Sequence, residues 1–182
     1  MVRLLVGLGN PGAEYAGHRH NVGFWLVDQL AELAATNFSN HDNIPLAGVG
    51  GLRLAKPQNY VNRSGLPVRR LCDYFKIPSE NVMVAHDDLD LPLGRIRIKQ
   101  GGGHGGHNGL RDLIAHIGEN FLRLRIGIGH PGSRELVHGY VLSNPSSSEK
   151  QMITAAIEQA LELRDDWLGG NIVRAQQHLH TN

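Results

Sequence analysis

A glycine-rich run constrains this chain more than any other feature. Six of the nine residues in Gly101–Gly109 are glycine, which helps little with hydrophobic packing and loses the most backbone entropy on ordering. Such a run is tolerated where the backbone must take a positive φ or approach a ligand closely. Leu110, Leu113, Ile114 and Ile117 follow it at helical spacing. We therefore expect a binding loop that leads into a helix, whose first N–H groups favour an anion, rather than a flexible linker.

Length and composition restrict the class of protein. A chain of 182 residues can bury one core, so a single domain over residues 1–182 is expected. The net charge of +1 does not by itself indicate a nucleic-acid-binding protein. Cys72 is the only cysteine, which favours a reducing compartment. The apolar N-terminus, Met1–Gly7, is too short for a signal peptide or a membrane span. We expect a soluble, cytoplasmic protein without a membrane partner.

Apolar periodicity predicts strands that alternate with helices. The predicted strands are Val2–Leu8, Val49–Lys56, Val82–His86, Arg95–Lys99 and Phe121–Ile128. The predicted helices are Asn21–Ala35, Ser64–Phe75, the one after the glycine run, a long one from the capping box Ser146–Glu149 to about Leu168, and Ile172–His178. The apolar stripe predicted for the long helix is Met152, Ala156, Ala160, Leu163 and Trp167. The segment Thr36–Pro45 is interpreted as a loop. This alternation predicts an α/β fold, a single-domain α/β/α sandwich around a twisted mixed β-sheet.

The segment Gly7–Gly12 matches the G-x-G-x-x-G fingerprint of dinucleotide-binding proteins. Its context argues against that function, because Pro11 and Gly12 oppose an early helix. The acid expected about 20 residues later, at the end of a second strand, is also missing, since Asp28 lies inside a predicted helix. The better interpretation is a tight turn that projects Asn10 from the carboxyl end of the first strand, where open α/β sheets place their sites.

Three further polar residues are candidates for a site. His20 precedes a predicted helix, Asp87 ends a buried strand, and Asn62 precedes another helix. A carboxylate that meets a histidine can fix its tautomer and raise its basicity. The alternatives are ordinary ones: His20 beside a helix cap, Asp87 among solvated acids in a turn, and Asn62 as a cap.

The chain lacks the G-x-S-x-G motif of serine hydrolases, and Cys72 falls on an apolar helix face. A water activated by histidine is therefore favoured over a covalent nucleophile. His104 and His107, with Asp87 as a third ligand, could hold a metal, but a glycine loop is a poor scaffold for one. We predict no metal and no other cofactor.

Basic residues recur with period two on two predicted strands. Arg95, Arg97 and Lys99 share one face of the first, and Arg123 and Arg125 share one face of the second. If the strands are neighbours, these faces form a patch suited to phosphate. The alternative is a solvated sheet face.

Taken together, the motifs resemble bacterial peptidyl-tRNA hydrolases from residue 2 to about residue 142. The matching segments are Leu5–Gly12, Tyr15, Arg19–Asn21 with Gly23 and Phe24, Lys56–Pro57, Asn62–Gly65, His86–Gly94, Gly101–Leu110, Arg123–Gly129 and Tyr140–Leu142. Val61, His18 and Asn59-Tyr60 depart from the usual family pattern, which bears on pocket shape more than on chemistry.

The resemblance implies an enzyme that hydrolyses the ester between a peptide and the 3′ ribose of tRNA, recycling the tRNA. It implies His20 as the general base, Asp87 as the group that orients it, and Asn10 and Asn62 as amide donors to the peptide carbonyls. The residues implied to contact the substrate or the tRNA are Tyr15, Tyr60, Asn62, His107, Asn108, Lys99 and Arg125. The expected partner is peptidyl-tRNA, bound by its 3′ acceptor end and one phosphate, and the expected state is a monomer. A dinucleotide-dependent enzyme and a non-catalytic RNA-binding module remain the alternatives.

Overall fold

In the computed structural model, which describes residues 1–181, the chain forms one seven-stranded sheet. The strands are β1 Leu4–Gly7, β2 Ser39–His41, β3 Ile44–Val49, β4 Leu52–Ala55, β5 Val82–Asp88, β6 Ile96–Gln100 and β7 Leu122–Gly127. Their order is β2-β3-β4-β1-β5-β7-β6. The central strands β4, β1, β5 and β7 are parallel, and β2, β3 and β6 pair antiparallel at the margins. The predicted mixed sheet is confirmed.

Helices cover both faces of the sheet. They are α1 Val22–Leu33, α2 Gly65–Phe75, α3 Asn108–Ile117, α4 Val137–Val141, α5 Ser147–Glu162, α6 Arg164–Gly169 and α7 Ile172–His180. Alternation along β1 separates two cores, since Leu5 packs with residues of α1 and α5–α7, whereas Leu4 and Val6 pack with α2 and α3. Both layers are apolar inside, as the sandwich predicted from the sequence requires.

The predicted loop Thr36–Pro45 is wrong, because β2 and the start of β3 form a hairpin there. His41 pairs with Ile44 across a two-residue turn, in which Asp42 and Asn43 both have positive φ. Such turns match the twist of the flanking strands. The hairpin lies at the sheet margin and is mostly exposed, so its sequence lacks the apolar alternation of a buried strand. The predicted strand Val49–Lys56 also begins too early, because Val49 ends β3.

The long C-terminal helix is shorter than predicted. Its capping box at Ser146 and Glu149 is present, but α5 ends at Glu162 and α6 follows from Arg164. The predicted apolar stripe was placed partly off the buried face, since Met152 is 50% exposed whereas Ile153 is fully buried. Trp167 is fully buried on α6, and its indole N–H donates to the carbonyl of Ala160.

A close approach between β1 and α1 brings the chain before α1 against the sheet edge. A Cβ on Gly7 would lie 2.5 Å from the carbonyl oxygen of Gly23, and one on Gly23 would lie 2.3 Å from that of Ala85. Only glycine allows this packing. As a result Arg19–Asn21, a single 3₁₀ turn ahead of α1, lies beside the end of β5.

Candidate active site

An open cleft of about 1220 Å³ lies at the carboxyl edge of the parallel strands. Its lining includes Asn10 after β1, Tyr60 after β4, Asp87 at the end of β5 and Arg125 near the end of β7. Crossover connections bring these strand ends to one edge, which is where open α/β sheets bind ligands. The sequence prediction that polar residues gather at this edge is confirmed for Asn10, His20 and Asp87, and Asn62 lines the same cleft.

His20 and Asp87 form a hydrogen-bonded pair in this cleft. Nδ1 of His20 lies 2.9 Å from Oδ2 of Asp87. The Asp87 side chain is 2% exposed and the His20 side chain 14% exposed. Since a carboxylate can only accept, His20 carries its proton on Nδ1 and keeps the lone pair on Nε2, the nitrogen required of a general base. The alternative of Asp87 as a solvated turn residue is excluded by its burial.

The pair shifts both ionisation equilibria. Burial alone would raise the pKa of Asp87, but the positive charge of His20 and the hydrogen bonds from His107 and His20 hold this pKa well below its usual value. Burial alone would lower the pKa of His20. The negative charge of Asp87 and the hydrogen bond to its carboxylate outweigh this and raise the pKa above its ordinary value. Asp87 is therefore a carboxylate at neutral pH, and the basicity of His20 is increased.

Asp87 also binds a second histidine. Nε2 of His107 donates to Oδ1 of Asp87 at 2.8 Å. Nδ1 of His107 accepts from the backbone N–H groups of Gly109 and Leu110, at 3.1 and 3.3 Å. Both ring nitrogens of His107 are thus engaged within the protein.

His20, Asp87 and His107 place three potential metal-ligand atoms within 4.8 Å of one another among residues 1–181. The hydrogen bonds show why this cluster suits protons better than a metal. Nδ1 of His107 must keep its lone pair for two N–H donors, so Nε2 carries hydrogen and has no lone pair for an ion. A metal-bound histidine normally donates its second ring nitrogen instead. His104, the other histidine considered as a ligand, accepts from Gly106 N–H through Nδ1 and is absent from the cluster.

Asn10 is held in one orientation. Its side-chain oxygen accepts from the N–H of Val61 at 2.8 Å, so the amide Nδ2 is the group left to donate. Its backbone N–H and carbonyl are both bound by the side chain of Asn21, each at 2.9 Å. Sequence reasoning assigned no role to Asn21, although its place one residue after His20 was a signal. Through these two hydrogen bonds, the Asn21 side chain connects the turn that contains Asn10 to the turn that contains His20.

The other predicted contact residues line the cleft with more freedom. Asn62 lies in the 3₁₀ turn Val61–Arg63 and is exposed, and Asn108 is the exposed first residue of α3. Tyr60 is 56% exposed and meets Tyr15 edge to face, with ring centroids 6.1 Å apart. The structure brings all four to the cleft with His20.

The two basic strands are neighbours, as the phosphate-patch hypothesis required. Arg97 pairs with Arg125 and Lys99 with Arg123 across β6 and β7. Arg123 is buried, and its guanidinium donates to the carbonyls of Gly102 and Gly103, which holds the glycine loop. Nε of Arg125 donates to Oδ2 of Asp88 at 2.7 Å, and Lys99 is exposed on the cleft wall.

The glycine loop leads into α3 as predicted, with Gly101, Gly102, Gly105 and Gly106 at positive φ. The expectation that the first N–H groups of this helix are free for an anion is wrong for Gly109 and Leu110. The ring of His107 caps both of them. The cap was missed because histidine is not among the residues usually favoured at that position.

Comparison with known proteins defines the family. The sequence profile described as peptidyl-tRNA hydrolase matches residues 4–182. The peptidyl-tRNA hydrolase of Azotobacter vinelandii is 48% identical over 189 residues, covering 99% of this chain and 97% of that protein. That of Acinetobacter baumannii (strain AYE) is 46% identical over 185 residues, covering 98% and 96%. A crystal structure of peptidyl-tRNA hydrolase from Acinetobacter baumannii superposes with a TM-score of 0.94 at 46% identity, covering 98% of this chain and 94% of that one.

A carboxylate-oriented histidine beside a fixed amide donor is an arrangement suited to a hydrolase that activates water. The chain belongs to the peptidyl-tRNA hydrolase family. Among residues 1–181, no helix is both long enough and apolar enough to cross a membrane.

Proposed function

We propose that this chain hydrolyses the ester between a peptide and the 3′ ribose of tRNA, with His20 as general base. The observation that carries the proposal is the buried Asp87 carboxylate on Nδ1 of His20, which leaves Nε2 as the basic nitrogen in a cleft lined by amides. Membership of the family supplies the ester, which the residues alone do not name.

In this proposal, Nε2 of His20 takes a proton from water as the oxygen attacks the ester carbonyl. Asn62 is the candidate donor to the oxyanion, and Nδ2 of Asn10 donates to a peptide carbonyl. Asp87 stabilises the imidazolium that forms. The ribose oxygen then leaves with the proton from His20, so water and ester yield a peptide acid and a free tRNA hydroxyl.

The same cleft offers contacts for the rest of the substrate. Tyr15 and Tyr60 present aromatic rings on which unstacked bases of a single-stranded 3′ end can stack. Asn108 lines the same cleft from α3, and Lys99 with Arg125 provides positive charge for one phosphate. Since peptidyl-tRNA arises during translation, we propose that the chain acts in the cytoplasm.

A non-catalytic RNA-binding module is the alternative. It would use Lys99 and Arg125 equally well, but it would have no need of a buried carboxylate hydrogen-bonded to His20. A dinucleotide-dependent enzyme is not supported, because the turn after β1 leads into Arg19–Asn21 rather than directly into a helix.

The test is to incubate the purified chain with N-acetyl-aminoacyl-tRNA in EDTA and to measure released tRNA. We expect multiple turnovers by the wild type and none above background by His20→Ala with unchanged tRNA affinity. Tight tRNA binding without ester cleavage by the wild type would favour the binding module. Loss of activity in EDTA with rescue by zinc would support metal-assisted hydrolysis instead.

A further inference from the structure

Asp87 is shared between two histidines that differ in what holds them. Its Oδ2 meets Nδ1 of His20 at 2.9 Å and its Oδ1 meets Nε2 of His107 at 2.8 Å. The two imidazole rings lie 5.1 Å apart, centroid to centroid. His20 leaves Nε2 for the cleft, whereas His107 has no ring nitrogen left for substrate.

The tautomer of His107 is fixed from outside the pair. The N–H groups of Gly109 and Leu110 both point at its Nδ1, so this nitrogen stays unprotonated and Nε2 carries the hydrogen. The buried ring of His86 lies 5.2 Å from that of His107, centroid to centroid, and supplies no carboxylate.

These contacts dictate what His20 can do. Because His107 always donates, Asp87 always receives one N–H on Oδ1, and its Oδ2 is left to accept from Nδ1 of His20. The carboxylate cannot rotate without breaking the bond to a ring that is anchored to α3. His107 also withdraws charge from Asp87, which limits how strongly Asp87 attracts the His20 imidazolium.

We propose that His107 is a positioning residue, which uses the N-terminus of α3 to hold Asp87 so that His20 presents Nε2 to water. The inference rests on the proposed role of His20 as general base. The resemblance implied that His107 contacts the substrate. In this proposal, His107 instead connects His20, through Asp87, to the N-terminus of α3. The titratable side chains around the ring are His20, Asp87 and His86.

Two amide variants separate this role from simple helix capping. In His107→Asn, the amide oxygen can replace Nδ1 as the cap, since asparagine is a favoured cap, but the side chain is too short to reach Asp87. In His107→Gln, the amide nitrogen can replace Nε2 as the donor to Asp87, while the cap on Gly109 and Leu110 is lost. Each variant therefore keeps one of the two bonds of His107.

For His107→Asn we expect kcat to fall about tenfold, the usual lower range for partners that orient a functional group. The acid limb of the pH–kcat/KM profile should move to higher pH, because an Asp87 with one donor fewer raises the pKa of His20 further. For His107→Gln we expect the limb to stay in place and kcat to stay within about threefold of wild type, with a lower Tm from the lost cap. His107→Asn with wild-type kcat and an unmoved acid limb, or His107→Gln as impaired as His107→Asn, would overturn the proposal.

A measurement on the wild-type chain keeps the test valid if either variant fails to fold. Long-range ¹H–¹⁵N spectra distinguish the two neutral tautomers of a histidine. We expect neutral His107 to carry its hydrogen on Nε2 at the pH of maximal activity. Hydrogen on Nδ1 would overturn the inference. An inactive wild type would refute the proposed function instead, whichever tautomer the spectra showed.

Discussion

The two ends of the cleft are built differently. At one end, Asn10, His20, Asp87 and His107 are fixed by hydrogen bonds, and the Asp87 side chain is 2% exposed. At the other end, Lys99 is an exposed side chain on β6, and Arg125 on β7 is held only through its Nε, which donates to Asp88. The first end has one available geometry, whereas the second can adjust to what it binds.

This difference matches the different requirements of catalysis and of tRNA binding. A general base and its amide donors act only when they are preorganised to small tolerances, because the developing charge must meet them where they already are. Phosphate contacts need charge more than geometry and tolerate movement. We therefore expect substitutions at the fixed end to change kcat and substitutions at the adjustable end to change KM.

The largest effect is expected from His20→Ala. Removing the proposed general base should lower kcat by about 10²–10⁴-fold, while tRNA affinity is retained because Lys99 and Arg125 are unchanged. Single-turnover hydrolysis and tRNA binding should be measured on the same preparation. Near-wild-type kcat in the pure variant would show that His20 is not the base.

Asp87→Asn should be almost as damaging, for a reason that the second histidine supplies. His107 must donate from Nε2, so the new amide must accept on that side and turn its NH₂ toward His20. Nδ1 of His20 would then have to accept, which puts the hydrogen on Nε2 and removes the base. We expect a loss of kcat that approaches the loss caused by the wrong tautomer in a serine protease, about 10⁴-fold.

The residual activity of Asp87→Asn should titrate differently. His20 loses the anion that favours its charged form, so the acid limb of the pH–rate profile should move to lower pH. An unmoved limb would mean that Asp87 does not contact His20 during turnover.

Much of the fixed end could be predicted from the sequence. Asn10, His20 and Asp87 were expected at one sheet edge because they follow or precede predicted strands and helices, and they line one cleft there. The role of Asn21 and the capping by His107 could not be predicted. They depend on which backbone groups meet a side chain in space, and no spacing in the sequence encodes that.

The fold was predictable where apolar periodicity was strong. The buried parallel strands and α2 were expected within a few residues of their observed bounds. The hairpin of β2 and β3 was not, because a marginal, exposed hairpin depends on the turn at Asp42 and Asn43 rather than on an apolar pattern. The break at Leu163 was missed because an apolar stripe continues through it into α6.

The buried histidine His86, which contacts His107 at the fixed end, should also affect how the free energy of unfolding depends on pH. Burial lowers the pKa of His86 to about 4. A folded pKa below the unfolded value of about 6.5 means that the unfolded chain binds more protons, so stability falls as pH falls from about 6.5 toward 4. His20, whose pKa is raised, contributes with the opposite sign.

His86→Asn isolates this contribution. The free-energy advantage of wild type over the variant, measured by urea denaturation, should shrink by about 2 kcal/mol between pH 7 and pH 5. His20 is present in both chains and cancels from the difference. Parallel stability curves would mean that His86 is not held neutral in the folded protein.

The adjustable end should give the smallest effects, and these should fall on binding. Neutralising Lys99 should raise KM for full-length peptidyl-tRNA by about threefold to tenfold, with kcat unchanged, and should reduce the salt dependence of affinity by about one phosphate contact. Arg125→Ala should cost more than Lys99→Ala, because it leaves the Asp88 carboxylate without its 2.7 Å partner beside the phosphate. Asp88→Asn combined with Arg125→Ala is the matched control and should recover that excess.

A minimal substrate makes the comparison between the two ends decisive. A peptide esterified to a short 3′ fragment reaches the fixed end but carries no distant phosphate, so Lys99→Ala and Arg125→Ala should leave its hydrolysis unchanged. If both side chains hold the same phosphate, the double variant should cost less on full-length tRNA than the two single losses combined. Equal damage on the fragment and on the full tRNA would show that these cations help to shape the catalytic end, and the division of the cleft into a fixed and an adjustable part would fail.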